Sequence, residues 1–460
     1  MMRLGYSTIS VLWLLSLAVR AAAAPASSEA PVPQISFDGP ALRFDLANVE
    51  VGVAEYEAGP TGTTVLYFPK SVKAAVDVRG GGPGTVDTDI LRLAYDSALV
   101  HAISLSGGSA YGLSAATGVA NAIKDETLNA GNWNRIAVVP GAIIFDLAPR
   151  RYNVITPDDR LGRAAFTNRR PGWIPLGARG AGRFAMQGSF FGPIQHSGQG
   201  AAFRQVGNVK VLVVTVVNAF GTIVDRNGHV IRCAQATNGD CGRIEDWLRD
   251  HIAQGQPGTA SAAAAPTSAL TANTTITIVV TNQALPFAAL QRLAVQVHNS
   301  MSRAIQPFGT EVDGDTLFAV TTAEVDEGAL NHIDLGALAS ETAWDAILAS
   351  APQLPPVAPR SNVRASSEEL AKFTGRYAFA PGVVAEIRRH HAALEIDVSG
   401  NDSLYLKAGQ PVALTAVGAD EFELAGVRGD RLHIDRDGRG QVTGFTLNPG
   451  PWPIVAKRLP

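Results

Sequence analysis

The chain has 460 residues, of which 46% are hydrophobic and 17% are charged, and its net charge at pH 7 is −3. This composition supports a large buried core and excludes an intrinsically disordered protein. A charge so close to neutrality gives no argument for binding nucleic acid or an anionic membrane surface. The length exceeds that of one ordinary domain and predicts a large domain followed by a smaller one.

The N-terminal residues have the pattern of a secretory signal peptide. Arg3 precedes an apolar run at residues 9–19, and alanines follow that run. The run is too short for a stable membrane span, and we predict a signal peptide at residues 1–23 with cleavage near Ala23. The expected location of the mature protein is therefore periplasmic or secreted, without membrane contact.

The rest of the chain divides at a proline-rich stretch. We predict a large domain at residues 24–350, a linker at 351–365 that contains four prolines, and a small domain at 366–460. The last of these alternates turn signals with short strand-like segments, at 375–379, 383–388, 392–398, 403–407, 422–425, 432–435 and 442–447. This pattern predicts a small all-β barrel or sandwich.

The large domain begins with two strand-like segments, at 49–57 and 63–68, which predict a hairpin. A further strand at 74–78 leads into the glycine-rich sequence RGGGPGT at 79–85. This sequence lacks the Lys-Ser/Thr ending of a P-loop and the spacing of a dinucleotide-binding loop, so we interpret it as a turn with close backbone approach.

The sequence LSGGSAYG at 105–112 places Ser109 at a strand-to-helix turn. The nucleophile motif G-x-S-x-G requires a small residue where this chain has Tyr111. We therefore interpret Ser109 as part of a tightly packed turn at a helix start. Amide N–H groups that face a cleft are a second interpretation.

Two features of the middle of the chain have several interpretations. A nearly unbroken β-branched run at 209–217 predicts a strand buried on both faces, and the amide of Asn218 at its end needs a partner in the structure or in a substrate. Cys233 and Cys241 flank a short loop, and an oxidising compartment favours a disulfide between them. Without a further Cys or His they are poor zinc ligands.

The junction before Thr274 combines a mobile loop with a core strand. Residues 255–269 consist mainly of Gly, Ala, Ser, Thr, Pro and Gln, whereas 274–281 are β-branched. A cut between Asn273 and Thr274 would leave Thr274 as a new chain start. Its α-amine, with an unperturbed pKa of about 7.7–8.0, can act as the base for its own hydroxyl. An ordinary loop-to-strand junction is the alternative.

Downstream, residues 287–304 predict an amphipathic helix that packs on the sheet. His298 lies beside its apolar stripe, and we interpret it as a helix-flank residue. Asp313 and Asp315 surround a glycine before the next strand. They could bind calcium, form a solvated turn or orient a nucleophile, although calcium requires more oxygen ligands than this segment supplies.

Five segments, in this order, resemble the DmpA/BapA-type β-aminopeptidases and L-aminopeptidase/D-esterases, which are self-processing N-terminal-nucleophile hydrolases. They are VDVRGGGPGT (76–85), LSGGSAYGL (105–113), VNAFG (217–221), NTTI (273–276) and DGDT (313–316). The resemblance implies an α+β fold, a four-layer αββα sandwich, whose two cleavage products stay together in a homo-oligomer of processed α/β pairs. The small C-terminal domain resembles the β-barrel appended to some serine β-lactamase-like periplasmic proteins.

The resemblance also implies residue roles. Thr274 corresponds to the nucleophile, Asn218 to the oxyanion-hole amide, and Asp313 with Asp315 to the pair beside the nucleophile. Thr replaces the Ser of the best-known members, and Asp313 replaces a hydroxyl residue. The acidic residue that those members place near the substrate amine, in the segment matching 138–147, is not evident, and Asp146 is the nearest carboxylate.

The function implied is an exported aminopeptidase that cleaves itself at Asn273–Thr274 and then hydrolyses small peptides or aminoacyl amides and esters. No metal or organic cofactor is implied, and no nucleic-acid partner. The alternative is a non-catalytic periplasmic binding protein that retains the sandwich, and it predicts an intact chain. A third interpretation places the activity in the C-terminal domain, whose His390, His391 and His433 are scattered along the sequence.

Overall fold

The computed structural model describes residues 30–93, 96–97, 99–127, 136–147, 154–191, 195–233, 240–255, 273–351, 366–380, 382–391, 393–400, 406, 408–424, 431–448 and 452–460. The predicted signal peptide lies outside these residues. So do the predicted mobile loop at 255–269 and the linker at 351–365, except for the first residue of each. Within the described ranges, none of the helices combines the length and apolar composition needed to cross a bilayer.

The large domain contains five α-helices and sixteen strands among the described residues. The helices are α1 (Ser114–Glu126), α2 (Asp159–Thr167), α3 (Ile244–Gln254), α4 (Phe287–Ser300) and α5 (His332–Ala349). The strands are β1 (Ala41–Arg43), β2 (Glu50–Tyr56), β3 (Thr61–Val78), β4 (Thr85–Val86), β5 (Val100–Ser106), β6 (Gly141–Ile143), β7 (Arg170–Pro171), β8 (Trp173–Pro175), β9 (Met186–Gln187), β10 (Gln195–His196), β11 (Gln199–Val206), β12 (Val209–Asn218), β13 (Thr222–Ile223), β14 (Thr274–Gln283), β15 (Ile305–Gln306) and β16 (Thr316–Val325).

Strand β3 connects the two halves of a 10-stranded sheet, in the order β11-β12-β14-β16-β3-β5-β6-β4, and β2 pairs with both β3 and β7. Its C-terminal part pairs with β16, and its N-terminal part pairs with β2 and β5. The sequence predicted a hairpin and a separate strand here, because Pro69 interrupts the pattern. Pro69 is exposed and lies where the pairing with β5 is irregular, so its missing N–H is tolerated.

Three apolar cores separate four layers. The core between the two halves of the sheet takes alternate residues from both, including Leu66, Leu105, Val214, Ile278 and Phe318. The intervening residues of the β12 half pack under α4 and α5, and those of the β5 half pack under α1 and α2. The predicted αββα sandwich is confirmed.

Helices α1 and α2 cross at two glycines. A Cβ atom on Gly118 would lie 2.1 Å from the carbonyl oxygen of Asp159, and one on Gly162 would lie 2.1 Å from that of Ala115. Each helix therefore packs directly against the backbone of the other, a distance that any side chain would prevent.

The C-terminal domain is a closed eight-stranded antiparallel barrel preceded by a short helix. Its elements are α6 (Ser367–Phe373), β17 (Gly375–Ala380), β18 (Val383–His390), β19 (Ala393–Ser399), β20 (Val412–Ala416), β21 (Glu421–Leu424), β22 (Arg431–Arg436), β23 (Val442–Leu447) and β24 (Ile454–Arg458). The predicted barrel is confirmed. The sequence missed β20 and β24, the latter because it follows a proline-rich segment, and the strand expected at 403–407 lies largely outside the described residues.

The helix crossing yields a prediction with a matched control. Gly118→Ala should lower the free energy of unfolding by about 1–3 kcal/mol, because the new methyl group meets backbone that cannot move aside. Gly336 in α5 has a similar apparent clash, at 2.3 Å, but with the exposed side chain of Gln296. Gly336→Ala should therefore be neutral or gain up to about 1 kcal/mol from helix propensity. Equal effects in denaturant unfolding would contradict this account.

Candidate active site

Thr274 and Asn218 lie directly opposite each other on the paired strands β14 and β12. Their side chains share the face of Ile276 and Val216, which line the core between the two halves of the sheet. Both are nearly buried, at 2% and 3% exposure. Opposite residues of an antiparallel pair have Cβ atoms about 4.5–5.5 Å apart, so the hydroxyl and the amide are neighbours.

Gly314 brings a backbone N–H to the peptide bond before Thr274. The Gly314 N–H donates to the carbonyl oxygen of Asn273 at 2.6 Å. A Cβ atom at position 314 would lie 2.5 Å from Thr274 Oγ1. Only a residue without a side chain can therefore place its N–H on this carbonyl while the hydroxyl occupies the adjoining space. The sequence analysis assigned no role to Gly314, although its place between two aspartates was a signal.

The two aspartates around Gly314 are buried and accept hydrogen bonds from the protein. Asp313 accepts from the N–H of Phe220 at 3.3 Å and from both the N–H and the hydroxyl of Thr310. Asp315 accepts from the N–H groups of Thr275 at 2.5 Å and Gly309 at 3.0 Å. The solvated-turn interpretation is therefore wrong. Among the described residues, no group of three His, Cys, Asp or Glu side chains could hold a metal ion.

Asp315 has a strongly perturbed acidity. Burial, and then the charge of the neighbouring Asp313, raise the pKa of Asp315 well above its ordinary value of 3.8. The hydrogen bonds from backbone N–H groups oppose this rise without cancelling it. The Asp315 carboxyl group, beside the strand that starts at Thr274, therefore loses its proton at a higher pH than an ordinary aspartate does.

The glycine-rich segment packs against the turn that carries the aspartates. A Cβ atom on Gly80 would lie 2.2 Å from the carbonyl oxygen of Asp313, and the N–H of Gly82 donates to that same oxygen at 2.8 Å. The interpretation of this segment as a turn with close backbone approach is confirmed. Its role is to hold the acidic turn in place.

Two backbone groups fix the orientation of the Asn218 side chain. Its Oδ1 accepts from the N–H of Met186 at 3.0 Å, and its Nδ2 donates to the carbonyl oxygen of Phe145 at 3.1 Å. The Nδ2 atom carries two N–H groups, and among the described residues no other group accepts a hydrogen bond from the second one. Met186 was missed by the sequence analysis, because nothing in its local sequence marks it.

Asp146 and Ser109 lie in two segments that are hydrogen-bonded to each other. Asp146 is fully buried, and its two oxygens accept from the N–H of Gly108 at 2.7 Å and from the hydroxyl of Thr61 at 3.0 Å. Ser109 has a φ of 54°, and its N–H donates to the carbonyl oxygen of Ile144. This geometry agrees with a packed turn at a helix start.

His298 differs from its predicted position on a helix flank. It is fully buried, and its Nδ1 lies 2.9 Å from Asp77 Oδ2, which also accepts from Arg79 Nε at 2.6 Å. Burial lowers the pKa of His298. Asp77 lies on the same face of β3 as Ala75, which packs under α4, so this cluster faces away from Thr274.

A loop containing Ser189 and the disulfide-bonded segment lie on the other side of the site. Ser189 Oγ donates to Asn273 Oδ1 at 3.3 Å. The ring of Phe190 packs on Phe220 and on His251 of α3, which precedes the segment at 256–272 outside the described residues. Cys233 and Cys241 form a disulfide in the structure.

The raised pKa of Asp315 makes a prediction about stability. The unfolded chain releases this proton near pH 3.8, whereas the folded protein retains it to higher pH. The stabilisation is therefore complete below that pH and is lost as the pH rises through the folded pKa. Above about pH 4 and up to the folded pKa, the free energy of unfolding should fall with a slope of up to about 1.4 kcal/mol per pH unit from this group.

Asp315→Asn isolates this contribution because the amide does not titrate. The variant should be less stable at low pH, since its NH₂ group faces one of the two N–H donors. The difference between wild type and variant should shrink as the pH rises. Urea unfolding followed by fluorescence measures both curves, and parallel curves would contradict the raised pKa.

The chain is similar to known proteins of one family. Residues 44–354 match the model of Peptidase family S58. A 6-aminohexanoate-oligomer endohydrolase of Paenarthrobacter ureafaciens is 42% identical over 320 residues, covering 67% of this chain and 85% of that protein. An uncharacterized aminopeptidase of Mycobacterium tuberculosis (strain ATCC 25618 / H37Rv) is 35% identical over 271 residues, covering 57% and 74% of the two chains.

Two solved structures are also similar. A Burkholderia sp. beta-aminopeptidase has a TM-score of 0.48 at 17% identity, covering 69% of this chain and 88% of that chain. The L-aminopeptidase D-Ala-esterase/amidase of Ochrobactrum anthropi has a TM-score of 0.49 at 16% identity, covering 71% and 91%. The family match and the sequence relatives confirm the family expected from the five motifs. The chain belongs to peptidase family S58 and is a peptide or amide hydrolase.

Proposed function

We propose that this protein is an exported N-terminal-nucleophile hydrolase that cuts its own chain between Asn273 and Thr274 and then uses the Thr274 hydroxyl to attack substrate amides. One observation carries the proposal: the Thr274 side chain lies opposite Asn218 in a buried space, and the N–H of Gly314 already binds the carbonyl oxygen of Asn273. No other hydroxyl residue in the described part of the chain has this combination.

Self-cleavage starts from that carbonyl. Thr274 Oγ attacks the carbonyl carbon of Asn273, and the N–H of Gly314 stabilises the negative charge that develops on its oxygen. The C–N bond breaks, the Thr274 nitrogen takes up the proton that the hydroxyl released, and an ester joins Asn273 to the Thr274 oxygen. Water then hydrolyses the ester, leaving a carboxylate on Asn273 and a free α-amine and hydroxyl on Thr274.

Turnover uses the same hydroxyl with the new amine as its base. The amine accepts the hydroxyl proton while the oxygen attacks the substrate carbonyl, and it then transfers that proton to the leaving amine. Water then hydrolyses the acyl-enzyme ester, which releases the acid and restores the hydroxyl. The second N–H of the Asn218 amide donates to the oxyanion, a contact typically worth about 10²–10³ in rate. Asp313 and Asp315 act by holding the turn that brings Gly314 to the site.

The substrate class has two candidates. Removal of N-terminal residues from small peptides, amides or esters is implied by the family resemblance and requires a group that binds the substrate ammonium. Asp146, the carboxylate in the segment that would carry this group, is fully buried and accepts hydrogen bonds from Gly108 and Thr61. This favours the second candidate, cleavage of amide bonds inside oligomers, and relatives named 6-aminohexanoate-oligomer endohydrolase support it.

The first prediction concerns processing. The mature protein should run as two fragments on a denaturing gel, one ending at Asn273 and the other beginning at Thr274, as mass spectrometry would identify them. Thr274→Ala should give one intact chain without activity, and Thr274→Ser should retain both reactions because the hydroxyl and amine remain. A non-catalytic binding protein would instead show an intact wild-type chain.

The second prediction separates the oxyanion donor from the turn serine. Asn218→Ala should lower kcat for amide hydrolysis by about 10²–10³, because a donor to the transition state is lost. Ser109→Ala is the control and should leave self-cleavage intact, since Ser109 contributes to the turn through its backbone. If Ser109→Ala stopped the chemistry while Thr274→Ala did not, the nucleophile would be Ser109.

The third prediction distinguishes the two substrate classes. A linear amide oligomer should be tested with a free and with an acetylated amino terminus. We expect the two rates of cleavage to agree within about threefold, because Asp146 is already hydrogen-bonded to Gly108 and Thr61 and does not bind the amino terminus. Loss of cleavage on acetylation, measured by chromatography of the products, would instead establish an aminopeptidase.

A further inference from the structure

The C-terminal barrel contacts the large domain through a buried tryptophan. Trp452, which precedes β24, is 2% exposed and stacks on the ring of His196 with centroids 4.5 Å apart and planes 16° apart. Phe184 packs edge-on against His196. Phe184 and Ala178 are both part of the apolar core of the barrel. Apolar contact between the barrel and the segment around β9 and β10 is therefore continuous.

Arg232 of the large domain also contacts Trp452. Its guanidinium lies 5.3 Å from the centre of the Trp452 ring, and its Nη1 donates to the carbonyl oxygen of His196 at 2.7 Å. Burial lowers the pKa of Arg232 to about 10. Trp452 thus contacts both an imidazole and a guanidinium of the large domain.

Trp452 stacks on the hairpin formed by β9 and β10, and this hairpin orients the candidate oxyanion amide of Asn218. His196 pairs with Met186 across β10 and β9, and the Met186 N–H donates to Asn218 Oδ1. The neighbouring Gln187 side chain accepts from the hydroxyl of Thr222 and the N–H of Ile223. The hairpin therefore lies along the 218–223 segment and is bound to it at several points.

A second contact reaches the other wall of the site. Ile155 packs against the barrel core as well as against the core beneath α1 and α2. The next two residues, Thr156 and Pro157, lie against the Gly108 turn, whose N–H binds Asp146. Through Ile155, the barrel thus reaches the segment that packs against the Gly108 turn.

We propose that the barrel is a positioning module for amide cleavage and that Trp452 is its positioning residue, acting through His196 and Met186 on the Asn218 amide. The Asn218 N–H must meet an oxyanion that exists only in the transition state, so a small rotation of this amide reduces catalysis more than substrate binding. The inference rests on the proposed function, because it assumes that Asn218 is the oxyanion donor. The family match ends at residue 354, so the barrel is an addition to the matched region.

The test uses the full-length protein with a matched pair of variants. Trp452→Leu removes the stacked ring and keeps an apolar side chain in the barrel. Phe422→Leu removes another buried barrel ring, whose aromatic partner is Phe373 of α6. Thermal unfolding and circular dichroism establish that both variants are folded, and Trp452→Phe restores a ring to the stack.

Trp452→Leu should lower kcat for amide hydrolysis roughly 10- to 100-fold, the effect expected when a catalytic group is displaced by about 1 Å. KM should change less than about threefold, and Trp452→Phe should recover most of the rate. Phe422→Leu should lower the melting temperature and leave kcat unchanged. In the Asn218→Ala background, Trp452→Leu should cause no further loss, because both changes remove one interaction.

Four results would overturn the inference. Trp452→Leu with wild-type kcat would show that the barrel does not position the site. If the kcat losses of Trp452→Leu and Asn218→Ala multiplied in the double variant, the barrel would only add stability. The same would hold if Phe422→Leu lost as much kcat as Trp452→Leu. If Asn218→Ala itself kept wild-type kcat, the proposed oxyanion role would be wrong and the inference would fail with it.

Discussion

The alternation of side chains along strands is the constraint on which the site depends. Every second residue of β12 and β14 must be apolar to fill the core between the two halves of the sheet, and the same period carries Asn218 and Thr274 onto that face. A shift of one residue in either strand would turn the hydroxyl or the amide under the helices. The same packing that stabilises the sandwich therefore also brings the two reactive side chains together.

Features with a local signal were predictable from the sequence. The β-branched run before Asn218 and the one after Asn273 are long enough to identify buried strands, and β12 and β14 begin and end within a residue or two of the expected positions. The glycine-rich segment was correctly interpreted as a packing turn, because it lacks the residues of a phosphate loop. The barrel was predicted from regularly spaced turns, although strands β20 and β24 were missed.

Features that depend on distant contacts were not predictable. Met186 acts on Asn218 through a backbone N–H from 32 residues away, a group that every residue but proline has. His298 meets Asp77 across 221 residues, and its position on the helix gave no sign of this partner. Gly314 was passed over because its role is to leave space for Thr274. A single sequence does not contain the spatial neighbours that give these residues their roles.

The order of strands in the sheet has a consequence for a chain cut at residue 273. The downstream fragment would contribute β14 and β16, which lie between β12 and β3 of the upstream fragment. Each fragment would then be hydrogen-bonded to the other along two separate edges, and the downstream barrel would still rest on the upstream hairpin through Trp452. Separation would require opening the middle of a buried sheet, so the broken backbone would have little freedom to diverge. The two fragments would unfold as one cooperative body.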